Sequence, residues 1–111
     1  MNEVTIDPAT FADLQAAAGT DFVVELVDTF AEEAPLLLAE LRNARAAGAA
    51  ERFRRAAHSL KSNGNTFGAT GLADVARTLE LGGLPPDDTA VDTLERAVKT
   101  TVAALQTLAR P

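Results

Sequence analysis

Residues 53–67 read FRRAAHSLKSNGNTF, and the spacing of their apolar members decides the fold. Phe53, Leu60 and Phe67 recur at seven-residue intervals. At 3.6 residues per turn they fall nearly in line on one face of a helix. Most positions between them are basic, polar or small, so one side of this helix enters a core and the other meets solvent. The pattern predicts a helix over residues 49–67.

Similar stripes extend in both directions. Upstream, Val23, Leu26, Val27 and Phe30 form one stripe, and Leu37, Leu38, Leu41 and Ala44 continue it to Gly48. Pro35 lies in the middle of this Thr20–Ala47 segment and removes one backbone donor. The expectation is one kinked helix, with two short helices meeting at Pro35 as the alternative. Further upstream, Asp7-Pro8 pairs a capping residue with proline at the first helical position. Phe11, Leu14 and Ala18 follow at helical spacing, and Gly19 is a stop signal. Downstream, Gly68 and Gly71 bracket a break or a close helix crossing. Leu72, Val75, Ala76 and Leu79 mark a further helix that ends at Gly82-Gly83. After a Pro85-Pro86 loop, a last helix begins near residues 87–89 with the stripe Val91, Leu94, Val98, Val102, Leu105 and Leu108. No window alternates at the period of a strand. The expected fold is all-α: an antiparallel up-down four-helix bundle with an additional short N-terminal helix, a single domain over residues 1–111.

The composition narrows the function classes. At 111 residues, 47% hydrophobic and 23% charged, the chain has the make-up of one globular domain. It has no cysteine, which excludes a disulfide framework and a thiol nucleophile. It has no Trp or Tyr and a formal net charge of -6, which argues against nucleic acid as a partner. Neither a secretion signal nor a membrane-spanning run is apparent, so a cytoplasmic monomer is expected. Met1 and the lack of a flanking linker lean toward a free-standing protein.

Charge is unevenly spread. Residues 1–41 hold nine acids and no Lys or Arg, whereas residues 42–61 hold Arg42, Arg45, Arg52, Arg54, Arg55 and Lys61 against Glu51 alone. Such a run suits a solvated face as well as a binding site. It ends around the only histidine, His58.

With His58 at zero on a helical wheel of about 100° per residue, Asn65 falls near -20°, Ser62 near +40°, Arg54 near -40°, Arg55 near +60° and Lys61 near -60°. His58 is therefore expected at the centre of a polar, cationic face. Neighbouring cations would lower the imidazole's pKa, keep it nucleophilic, and pair with a dianionic group attached to it. Gly64 is costly inside a helix, by about 1 kcal/mol relative to alanine. Either close packing against a neighbouring helix or a low surface beside the imidazole accounts for it.

The string from Ala57 to Ala69, AHSLKSNGNTFGA, resembles the histidine-containing phosphotransfer (HPt) domain family. The shared features are His58, Leu60-Lys61, small residues at 62 and 64, Gly68 ten positions after the histidine, and Leu79-Glu80 closing the next helix. The resemblance implies that His58 is the phosphoacceptor, that Lys61 contacts the phosphoryl group, and that Gly68 lies at a helix packing site. Ser62 stands where the family often has glycine. A further implication is an N-terminal helix that helps dock a receiver domain over His58, with Arg54, Arg55, Ser62 and Asn65 as partner-facing candidates.

On this reading the chain carries phosphoryl groups between a receiver aspartate, or a hybrid histidine kinase, and another receiver. It needs no cofactor or metal of its own, since Mg²⁺ comes with the receiver, and it has no ATP-dependent kinase activity, lacking a phosphate-binding loop. A general-base enzyme would need an orienting carboxylate, and none of Arg54, Arg55, Lys61 or Ser62 is acidic. A di-metal bundle would need Glu-x-x-His, but residue 55 is Arg. A non-catalytic helical adaptor that docks a receiver remains the alternative.

Overall fold

A computed structural model describes residues 5–110 and contains five helices. They are α1 (Pro8–Ala18), α2 (Thr20–Ala46), α3 (Ala50–Phe67), α4 (Thr70–Leu81) and α5 (Thr89–Ala109). α3 packs on α2 and α4, and α5 closes the ring against α2 and α4, while α1 leans on α2 and α3. The molecule is an all-α four-helix bundle with a short N-terminal helix. The core takes Val23, Val27, Phe30, Leu38 and Leu41 from α2, Phe53, Leu60 and Phe67 from α3, Leu72 and Leu79 from α4, and Val91, Leu94, Val98 and Leu105 from α5.

α2 runs unbroken for 27 residues through Pro35. Val27, Phe30 and Ala34 before the proline, and Leu38 and Leu41 after it, are all buried. Packing of this continuous apolar face sustains the helix where one main-chain donor is missing. Leu108, expected in the core stripe of α5, is instead exposed, and Ala109 is buried in its place.

Three loop details position the site. α3 ends in a Schellman arrangement, in which the Ala69 N–H donates to the Gly64 carbonyl and the Gly68 N–H to the Asn65 carbonyl. Gly68 takes the left-handed conformation this turn requires, with φ 73°. Its carbonyl accepts from the Asp7 N–H at 2.7 Å, which ties the start of α1 to the end of α3. A Cβ on Gly68 would stand 2.8 Å from Thr10 Cβ, so the close neighbour of this glycine is α1. Of the two alternatives for the Gly68–Gly71 stretch the structure shows the break, and the close packing expected at Gly64 is present, where a Cβ would lie 3.2 Å from both the Ala69 carbonyl oxygen and the Ala73 nitrogen. Gly64 is buried against α4 rather than lying at the edge of the solvent face. The Asp7 side chain, expected to cap α1, accepts from the Thr10 hydroxyl at 2.6 Å instead and caps no main-chain N–H.

Candidate functional site

His58 lies midway along α3, on the face opposite Phe53, Leu60 and Phe67, with 52% of its side chain exposed. Ten residues, about 15 Å of helix, separate it from the turn at Gly68, and α4 returns over a similar ten-residue rise from Thr70 to Glu80. The out-and-back path brings Glu80 level with His58. Its Oε2 lies 2.8 Å from His58 Nδ1.

The Glu80 side chain is only 9% exposed and is held by cations. Lys61 Nζ lies 2.8 Å from Oε1, an ion pair outside hydrogen-bond geometry, and Arg54 Nη1 lies 3.8 Å from Oε2. Lys61 first, and His58 second, keep the Glu80 carboxyl below the ordinary glutamate range. An ionised carboxylate can only accept, so Nδ1 carries the ring proton. In the neutral imidazole the free lone pair is then on Nε2, which has no hydrogen-bond partner among the described residues.

This geometry corrects two expectations. The surroundings of His58 are not unopposed cations, because Arg54 is bound through two hydrogen bonds to Glu51 and Lys61 is paired with Glu80. An orienting carboxylate is also present, supplied by α4. The neighbours of His58 on α3 include no carboxylate that could do this, whereas Glu80 lies 22 residues away in sequence. In the sequence Leu79-Glu80 stands out only as a feature of the family resemblance; the signal that points to the contact is the similar helix length on either side of the Gly68 turn.

The cationic run does not form one patch either. Arg42 and Arg45 reach Asp88, Asp92 and Glu95 around the start of α5, and Arg52 pairs with Glu40 of α2. The run spans two helices and several wheel angles, so its members diverge. Arg55 has no ion-pair partner among the described residues. It lines a shallow hollow with Leu37, Glu40, Arg52, Ala56 and Ser59. A second hollow is lined by Glu33, Leu36, Leu37, Ser59 and Asn63. Ser62 and Asn65 are exposed. His58 is thus flanked by a charged wall of Arg54, Lys61 and Glu80 toward α4, and by two shallow hollows toward α2 in which Leu36 and Leu37 lie beside Glu33, Glu40, Arg52 and Arg55.

A helical bundle with a solvent-facing imidazole, its other nitrogen fixed by a carboxylate, defines a class of small domains suited to carrying a group on histidine. The family model for the Hpt domain matches residues 25–108, and the chain belongs to that family. Among solved structures, the chain is similar to histidine-containing phosphotransfer protein B (HptB) from Pseudomonas aeruginosa PAO1. The two are 28% identical with a TM-score of 0.73, over 95% of this chain and 90% of that one. No curated protein matches the chain. Among the described residues, no helix is long and apolar enough to cross a membrane.

Proposed function

We propose that this phosphorelay domain accepts a phosphoryl group on Nε2 of His58 and passes it to a receiver aspartate. The observation that carries the assignment is the 2.8 Å contact between Nδ1 and Glu80, which directs the lone pair of the sole histidine outward. In the forward step the Nε2 lone pair attacks the phosphorus of an aspartyl phosphate on a receiver or hybrid kinase. The N–P bond forms as the acyl O–P bond breaks, and the receiver's carboxylate leaves with the bonding electrons. The ring proton stays on Nδ1, where Glu80 stabilises the positive charge that the imidazole acquires. Return transfer runs through the same positions in reverse.

Phosphoryl transfer is chiefly positioning and stabilisation of spread charge. Lys61 and Arg54, on the α4 side of His58, supply that charge to the phosphoryl oxygens. The receiver rests on the α2 side, where Leu36 is 70% exposed beside Leu37, Ser59 and Asn63, and where Arg55 is free to pair with an acid. Ser62 and Asn65 border the imidazole and leave room for the partner's loops. Mg²⁺ belongs to the receiver. Gly64 and Gly68 serve by packing, one setting the α3–α4 distance and the other seating α1.

The test is to incubate the protein with a phosphorylated receiver, and separately with ATP and Mg²⁺. Acid-labile label on His58 from the receiver, with none from ATP alone, is the expected result. A receiver that binds without transferring label would make the domain an adaptor, and stoichiometric labelling from ATP in a kinase-free preparation would contradict the relay reading.

A further inference from the structure

Arg54 is one helical turn from His58, yet its charge is already committed. Its Nε donates to Glu51 Oε1 at 2.9 Å and its Nη2 to Glu51 Oε2 at 2.6 Å, a bidentate pair that uses the fork a phosphoryl group would engage. Nη1 points the other way, 3.8 Å from Glu80 Oε2, the same oxygen that faces His58 Nδ1. The guanidinium is therefore held between one carboxylate away from the imidazole and another against it. Its side chain is 47% exposed, so it can rotate without unpacking the core.

We propose that Glu51 and the phosphoryl group on His58 compete for Arg54, so that Glu51 is a positioning residue that sets how much phosphoryl group rests on this chain at equilibrium. The inference rests on the phosphoacceptor assignment of His58. Before transfer, Glu51 neutralises Arg54, and the wall beside His58 carries balanced charge from Arg54, Lys61, Glu51 and Glu80. After transfer a dianion lies one turn from Arg54. A dianion outbids a carboxylate for the same fork, and breaking the pair with Glu51 subtracts from the gain. An exposed pair between neighbouring turns is a small opponent, which suits a reversible carrier. Without it, phosphohistidine would be held more tightly and returned more slowly.

The experiment is a double-mutant cycle on the equilibrium constant for phosphoryl exchange with a receiver domain charged by acetyl phosphate. Glu51→Gln is expected to shift the equilibrium toward His58 by about two- to fivefold, the range spanned by exposed ion pairs. In the Arg54→Ala background the same substitution is expected to have little effect. A second readout is the Arg54 Nε–H resonance, which should move when His58 is loaded directly with phosphoramidate. Equal shifts in both backgrounds, no shift in either, or an unmoved resonance in fully loaded protein would each overturn the competition while leaving the phosphoacceptor in place. Failure of His58 to take label in the unaltered protein would overturn both.

Discussion

His58 Nδ1 and Glu80 Oε2 meet at 2.8 Å across two helices because equal lengths of α3 and α4 run from the Gly68 turn to these two residues. The contact assigns different tasks to the two ring nitrogens, one holding a proton and the other available for reaction. In the proposed transfer this makes Glu80, absent from the candidates found along α3, the residue that orients His58.

Glu80→Gln keeps the shape but replaces an acceptor-only group with an amide. Transfer from a phosphorylated receiver is expected to slow about tenfold, the scale of one charge-assisted hydrogen bond. Imidazole ¹⁵N shifts should change from a single Nδ1–H tautomer to a mixture. An unaltered tautomer in the variant would mean that Glu80 does not orient the ring.

Lys61→Ala removes the cation paired with Glu80 Oε1. Slower transfer is expected, with a stability loss of about 1–3 kcal/mol, because the nearly buried Glu80 carboxylate loses the cation facing Oε1. Stopped-flow transfer rates and denaturant titration separate the two effects. Rates within about twofold of the parent would reduce Lys61 to a structural partner of Glu80.

The glycines should respond differently from the charged residues. Gly68→Ala combines left-handed backbone with a Cβ 2.8 Å from Thr10 Cβ, and a loss of about 2–3 kcal/mol is expected. Gly64→Ala presses against the main chain of α4 and should cost about 1–2 kcal/mol. Melting temperatures read both. A Gly68 variant as stable as the parent would contradict the seating of α1 on this turn.

Acid should unpick the site in a defined direction. The Glu80 carboxyl is held below its ordinary range by Lys61 and then His58. A carboxyl with a depressed folded-state pKa contributes fully above the unfolded value, about 4.3, and loses that contribution as pH falls through the folded value. The gap in melting temperature between the parent and Glu80→Gln should therefore narrow below about pH 4. A gap that stays constant or widens on acidification would show that Glu80 is not stabilised as an anion.

What could be read from the sequence was what a single helix determines. The line of Phe53, Leu60 and Phe67 is enough to bury one face of α3 and expose His58 on the other. The unbroken α2 was legible in its core residues on both sides of Pro35. What depends on two helices was not: the pairing of Glu80 with His58, and the separate destinations of Arg42 and Arg52 at Glu95 and Glu40. Gly68 was recognised as special, but the contact with Thr10 depends on where α1 folds back, which no local pattern encodes.

Locating the phosphoryl group decides whether His58 is the acceptor. The protein should be charged from a phosphorylated receiver, digested at alkaline pH and sequenced by mass spectrometry under conditions that preserve phosphoramidate bonds. A single modification is expected, on His58, that survives base and is lost in acid, with no label on a folded His58→Gln variant. Label retained by that variant, or found on any other side chain, would contradict it.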